Sequence, residues 1–320
     1  MFSLSVFLPA FISFVLTVIL CPVFIPILHK MKFGQFVREE GPKSHLKKAG
    51  TPTMGGIVML AVFAAVGFAY AAHEPEIFPV ILLTVGFGLI GFLDDYIKLV
   101  LKRSLGLKAW QKLGLQIIVT AVFAYIIMYN YPDLMDVVIP FTAGKGLWRL
   151  GILFIPFVFI TVLGTVNGAN FTDGLDGLAT TVTLIITMFF AVLSIKVGSN
   201  VSHTAMIMVG TLLGFLIFNT YPAKVFMGDT GSLALGGFVA AAAFMLRIPL
   251  FIVIVAFIYL AEILSVMIQV SYFKLTHGKR IFKMSPIHHH FELSGFEETR
   301  IVTMFTVITI ILCFVGFIAL

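Results

Sequence analysis

Charge is what this chain has least of. Only 11% of its 320 residues are Asp, Glu, Lys or Arg, against 60% that are hydrophobic. A soluble domain carries roughly a quarter charged residues, so a soluble globular fold is excluded. No polar stretch is long enough to fold separately, and residues 1–320 read as one membrane domain. Cysteine is nearly absent: Cys21 and Cys313 each lie in an apolar run, which argues against a disulfide framework. There is no Walker-type phosphate loop and no Ser or Cys nucleophile motif. No internal repeat is visible, which weighs against inverted-repeat transporters. The formal net charge of +6 does not point to nucleic acid, because the basic residues sit in short segments between apolar runs. The first apolar run is too long for a signal-peptide core and has no basic region before it, so it reads as an uncleaved span.

What is present is apolar length. Runs suited to crossing a bilayer recur as Leu4–Leu28, Thr53–Ala72, Ile77–Leu93, Leu113–Tyr129 and Leu150–Thr165. They continue as Leu178–Ile195, Thr204–Phe218, Ser232–Leu246, Leu250–Phe273 and Ile301–Leu320. The expected fold is an all-α polytopic membrane protein of about ten transmembrane helices. All but four of the 21 Lys and Arg residues (Lys145, Arg149, Lys196 and Arg247) fall in alternate loops on one side. The positive-inside rule makes that side cytoplasmic and both termini extracytoplasmic. On the other side, Asn130 to Arg149 contains Pro132, Pro140, Gly144 and Gly146 and suits a short hairpin.

The basic side also collects the polar motifs, in five loops. The chain centres on Asn167 to Gly177, which holds Asn167, Asn170, Thr172, Asp173, Asp176 and three glycines between apolar runs. Such backbone belongs at a water boundary or around a polar cavity, and glycine permits close approach to a ligand. Asp173 and Asp176 would share one face of a helical turn. Upstream, Gly50-Thr51-Pro52-Thr53-Met54-Gly55-Gly56 follows Ser44, His45, Lys47 and Lys48. Thr51 and Pro52 read first as a helix cap and first helical position, though a helix start beside lysines also suits an anion. Asp94 and Asp95 end the third span, and neighbouring carboxylates repel unless a cation or proton compensates. Asp94 with Lys98 is also an i,i+4 pair, and Lys112 shares a face with Gln116 at the start of the fourth span.

Asn219 to Ser232 carries Asp229 between glycines, either a cap for the eighth span or a metal-ligand carboxylate. Ser285 to Glu292 carries His288, His289 and His290, whose consecutive spacing cannot put all three on one face. Phosphate or sugar contact suits them better than zinc. Glu262 and Gln269 lie inside the ninth run, where an ionisable residue is either functional or paired in helix packing. Carboxylates, lysines, histidines and glycine-rich turns at one membrane face fit metal-assisted phosphoryl transfer between a water-soluble and a lipid substrate.

These motifs, in this order, resemble the phospho-N-acetylmuramoyl-pentapeptide transferase family of the polyprenyl-phosphate N-acetylhexosamine-1-phosphate transferase superfamily. The resemblance covers essentially the whole chain and rests on the five loops quoted above. It implies transfer of phospho-MurNAc-pentapeptide from UDP-MurNAc-pentapeptide to undecaprenyl phosphate, giving lipid I and UMP. It also implies Mg²⁺, a homodimer, and a site facing the cytoplasm in the bacterial cytoplasmic membrane. Carried over by position, Asp229 is the Mg²⁺ ligand, with Asp94 and Asp95 beside the metal and the lipid phosphate. Asn170 and Asp173 are nearest ribose and diphosphate. Asp176, Asn219, Lys48 and Phe226 form the nucleoside pocket, with Phe226 stacking on uracil. His288 and His289 meet diphosphate or sugar, Lys112 meets phosphate, and Thr53, Gln269 and His290 join the substrate-binding set.

A phosphomonoester with a second pKa of about 6 is mostly dianionic near neutrality and needs little help from a base. Direct in-line attack is therefore preferred, with a two-step route through an aspartyl phosphate left open. A sister transferase using UDP-GlcNAc and a membrane transporter are the competing readings. The histidine motif weighs against the first and the one-sided polarity against the second.

Overall fold

A computed structural model describes residues 4–30, 50–101 and 106–320. Lys48, with the rest of the segment before Gly50, lies outside them. The described helices are α1 (Leu4–Lys30), α2 (Gly56–Ala71), α3 (Phe78–Leu99), α4 (Ala109–Asn130), α5 (Phe154–Thr172) and α6 (Leu178–Val197). They continue as α7 (Val201–Asn219), α8 (Gly228–Met245), α9 (Ile252–Val255), α10 (Phe257–Leu275), α11 (Ile287–Glu292) and α12 (Glu298–Ala319). Nine are long and apolar enough to cross a membrane; α2, with 16 residues, is shorter. Even so, α2 runs the height of the bundle. Gly56 at its start donates to Met227 O just before α8, and Glu74 just after it pairs with His203 in the first turn of α7. Phe11, Ile118, Ile160, Phe314 and Ile318 lie exposed along these helices, as lipid contact requires. The protein is an all-α polytopic membrane protein, apart from one small hairpin.

The hairpin forms where prolines and glycines break the apolar pattern: β1 (Asp136–Val138) pairs antiparallel with β2 (Leu147–Arg149). Val138 N donates to Arg247 O and Phe141 N to Ala319 O, so the hairpin ties down the end of the bundle away from the polar loops.

At the centre stands α8, in which every residue from Thr230 to Phe244 is buried. Its Gly- and Ala-rich sequence explains why. Lipid tails give helices little apolar reason to associate, so association rests on close backbone packing. A methyl group on Gly236 would lie 2.4 Å from the Val166 Cα of α5, and one on Gly91 of α3 would lie 2.1 Å from Asp229 O. Hydroxyls buried in the helices bond back along their own turns, as in Thr84 to Val80 O at 2.7 Å and Thr172 to Gly168 O at 2.8 Å. Within lipid-buried protein this satisfies groups that water would otherwise serve.

Four local expectations are corrected. Helix α3 continues to Leu99, so Asp94 and Asp95 lie within its last turns rather than ending it. Helix α5 continues to Thr172, which places Asn167 and Asn170 on the helix; Asn167 stays helical by donating to Leu163 O at 2.8 Å. Helix geometry thus ends before Asp176, and Asp173 and Asp176 do not share a helical face. The ninth run is broken at Ala256 into α9 and α10. Finally, Thr51 and Pro52 start no helix. Pro52 O accepts from Phe226 N, Met54 takes φ +70°, and α2 begins four residues later.

Candidate active site

The start of α8 is held from two sides. Gly55 N donates to Phe226 O at 2.8 Å and Gly56 N to Met227 O at 2.9 Å, so Pro52–Gly56 runs beside Phe226–Met227 like a short ladder. The chain then turns at Gly228, with φ +70°; a side chain there would meet Asp95 Oδ2 at 2.7 Å and Thr53 Oγ1 at 3.0 Å. From α3, Asp95 reaches the exposed amides of the new helix. Its Oδ1 accepts from Asp229 N at 3.2 Å, and its Oδ2 accepts from Thr230 N at 2.9 Å and Thr230 Oγ1 at 2.7 Å. A carboxylate on the first amides of a helix satisfies orphan donors and the positive end of the dipole together. The capping residue of α8 is therefore Asp95, from 134 residues earlier in the chain, and not Asp229.

That arrangement presents the Asp229 side chain to Lys98, Lys112 and Asn170. Its Oδ2 lies 2.9 Å from both Lys98 Nζ and Lys112 Nζ. Its Oδ1 accepts from Asn170 Nδ2 at 2.9 Å, and Asn170 also donates to Ser232 Oγ at 2.8 Å. Lys98 is shared: Asp94 Oδ2 lies 2.7 Å from the same ammonium, with Lys112 at 3.6 Å. Asp94 Oδ1 takes Leu107 N at 2.7 Å, beside Gly106. Deeper on the same helices, Asn167 donates to Gln116 at 3.0 Å. Helices α3, α4, α5 and α8 thus converge on three carboxylates and two ammonium groups.

The turn after α5 is held by other means. Asp176 Oδ2 accepts from Ala223 N at 2.9 Å, and Asp176 N donates to Glu298 Oε1 at 2.6 Å. Asn219 is buried, accepting from Thr180 Oγ1 at 2.6 Å and donating to Val225 O at 2.9 Å. Its side chain shapes the Asn219–Met227 loop. Phe226 is half-buried above the ladder, and Asp173 ends α5.

The three histidines turn to three different partners. His288 Nδ1 lies 3.0 Å from Glu262 Oε1, His289 Nδ1 lies 2.6 Å from Glu292 Oε2, and His290 Nδ1 accepts from Lys283 N at 3.1 Å. Gln269 braces the same segment, accepting from Ile281 N and Phe282 N and donating to Phe282 O. His288 reaches the turn after α5. A methyl on Gly174 would lie 2.1 Å from its Nε2.

The structure therefore brings Asp94, Asp95, Asp229, Lys112 and Asn170 into one cluster, with Thr53 at its edge. Asp176 and Asn219 lie in the adjoining frame, and Gln269, His289 and His290 in the bracing of the last loop. Sequence reasoning paired Lys98 with Asp94 but missed its bond to Asp229, and it missed Glu298 altogether. Lys98 was legible through its i,i+4 spacing; nothing local marks Glu298.

Among the described residues no group of three or more His, Cys, Asp or Glu is arranged to hold a metal. Two hard carboxylate oxygens, Asp94 Oδ2 and Asp229 Oδ2, nevertheless meet around one cation, the Lys98 ammonium. That donor set suits Mg²⁺, which takes one or two carboxylates and completes its shell with water and substrate phosphates.

A polytopic bundle whose polar loops gather acids, lysines and amides at one helix start has the form of a membrane-embedded group-transfer enzyme. The model of glycosyl transferase family 4 matches residues 77–247, which include that cluster. A phospho-N-acetylmuramoyl-pentapeptide-transferase of Clostridium novyi (strain NT) is 51% identical over 312 residues, covering 97% of this chain and 95% of the relative. Its namesake in Acetivibrio thermocellus is 50% identical, covering 97% and 93%, and that of Clostridium perfringens 47%, covering 97% and 96%. The chain belongs to the phospho-N-acetylmuramoyl-pentapeptide-transferase family and is a transferase.

Proposed function

We propose that the protein transfers phospho-MurNAc-pentapeptide from UDP-MurNAc-pentapeptide to undecaprenyl phosphate, giving lipid I and UMP for peptidoglycan synthesis. The observation that carries this reading is the sharing of two ammonium groups between Asp94 and Asp229 at the start of α8. Three carboxylates and two lysines leave a formal excess of one negative charge. A diphosphate adds more, so the complex needs a further cation, and Mg²⁺, which Asp229 would hold beside Asp94, would meet that need. When bound, Mg²⁺ neutralises charge that builds on the departing phosphate. Lys98 and Lys112, both 2.9 Å from Asp229 Oδ2, would offer their ammonium groups to the phosphate oxygens.

The attacking oxygen belongs to the lipid phosphate. It forms a bond to the phosphorus next to the sugar while the bond from that phosphorus to the bridging oxygen breaks, and the bridging oxygen leaves with UMP. Direct attack is supported at Asp95, whose two oxygens are taken by the amides of Asp229 and Thr230 and the Thr230 hydroxyl. The site faces the cytoplasm in a bacterial cytoplasmic membrane, with ten spans, both termini outside, and a homodimer as the working unit. Incubating purified protein with UDP-MurNAc-pentapeptide, undecaprenyl phosphate and Mg²⁺ tests the reading. UMP and a lipid-linked sugar should appear together; turnover of UDP-GlcNAc instead would replace the substrate, and UMP exchange without lipid acceptor would replace the mechanism.

A further inference from the structure

Among the described residues only three buried side-chain polar atoms lack a hydrogen-bond partner: Ser13 Oγ, Glu262 Oε2 and His288 Nε2. Two of the three belong to one pair. Glu262 sits in α10 with its side chain 0% exposed, and His288, 1% exposed, comes down on it from α11 with Nδ1 at 3.0 Å. A buried carboxylate without a compensating positive charge or proton is costly. No lysine or arginine pairs with Glu262 among the described ion pairs, so His288 is the compensating group. A pair that is neutral overall has two forms, carboxylate with imidazolium and carboxylic acid with neutral imidazole. In the first, both ring nitrogens carry hydrogen. In the second, Nδ1 accepts from the acid and the ring hydrogen sits on Nε2. Both forms leave Nε2 a donor.

That donor lies against the turn after α5. The residue over it is Gly174, in the turn between Asp173 and Asp176, and any side chain at Gly174 would collide with the ring. An unpaired N–H beneath a glycine turn is a place for an anionic oxygen. We propose that Glu262 is a positioning residue for His288, holding the ring so that Nε2–H donates to an oxygen of the bound diphosphate sugar. The assignment of that oxygen rests on the function proposed above. His288 is then an anion holder and not a general base, and the intramembrane carboxylate acts without touching substrate.

The test uses full-length protein labelled with ¹⁵N-histidine, with His288→Asn to assign the resonance. Nε2 of His288 should resonate as a protonated nitrogen; a bare imine nitrogen at Nε2 would overturn the proposal. Kinetics give the second arm. Glu262→Met is expected to lower kcat about a hundredfold, with KM for UDP-MurNAc-pentapeptide little changed and Tm unchanged or raised, since it removes a buried charge. Glu262→Gln, whose amide can donate to Nδ1 and keep the hydrogen on Nε2, should retain activity within about tenfold of wild type. Parallel loss of Tm and kcat in both variants would make Glu262 merely structural. If wild type fails to use UDP-MurNAc-pentapeptide while Nε2 is protonated, the substrate reading falls and the donor stands. If wild type turns over and Nε2 is bare, the donor falls alone.

Discussion

The two ends of the bundle use similar chemistry to opposite effect. Away from the site, side chains pair singly: Glu74 with His203 at 2.7 Å and Asp136 with Arg149 at 3.7 Å. Each such pair ties one connection to a neighbouring helix or strand. At the site end, Lys98 serves Asp94 and Asp229 at once, and Lys112 sits between the same two. A single pair has one good arrangement, so it works as a staple. A shared set has several, and a cation can be exchanged for another without leaving any carboxylate bare. The polar end of the molecule is thus built to be re-partnered, and the opposite end to stay as it is.

The comparison breaks most directly at Asp229, which touches both lysines and Asn170. Asp229→Asn is expected to lower kcat by about a thousandfold or more, and chelation of Mg²⁺ should abolish UMP release reversibly. Wild-type turnover by this variant would remove Asp229 from the metal site. The next largest effect falls on the lysines. Lys98→Met and Lys112→Met should each cost about a hundredfold in kcat/KM, and the double variant less than the product, because the two share one pair of carboxylates. Full additivity in the double variant would show that the lysines act separately and that the shared set has no functional meaning.

A smaller effect is expected at Asp95, and it sharpens the line between residues that exchange partners and residues that do not. Asp95→Asn keeps one acceptor and loses the other on the amides of Asp229 and Thr230. We expect a stability loss of about 1–3 kcal/mol together with a fall in kcat, read from Tm and steady-state kinetics on the same preparation. A change in KM for the lipid phosphate with no loss of Tm would return Asp95 to direct substrate contact.

Asp94 and Asp95 also mark where legibility ends. The apolar runs, the one-sided basic loops and the five motifs were plain in the sequence because each depends on local spacing. So was the pairing of Asp94 with Lys98, one helical turn apart. What separates Asp94 from Asp95 is not local. Consecutive residues of a helix point about 100° apart, and one meets the lysines while the other meets the start of α8, 134 residues on. Asn219, Asp176 and Gln269 were read as ligand contacts, and their bonds to Val225 O, Ala223 N and Phe282 O add a loop-holding role that spacing alone does not reveal. Thr51-Pro52 carried a sound capping signal, which the backbone of Phe226 overrode. The polar pattern showed which loops matter, and only long-range contacts show which side chains in them are free to act.

The smallest predicted effect lies at the far end and serves as the control for all the others. Glu74 joins the connection after α2 to the first turn of α7, where Tyr70 also packs on the His203 ring at 5.2 Å between centroids. Both side chains are partly solvent-exposed, at 24% and 14%, and a pair in that setting contributes at most about 1 kcal/mol. Glu74→Gln should therefore lower Tm slightly and leave kcat and KM within about twofold of wild type, since the ring packing and an amide hydrogen bond remain. The reasoning is structural: α7 passes from this staple to Asn219, whose buried bonds to Thr180 and Val225 hold the loop before Asp229 by themselves. A loss of activity in Glu74→Gln larger than its loss of stability would mean that strain at the far end travels along α7 into the cluster. The single pairs would then be part of the working site and not only staples.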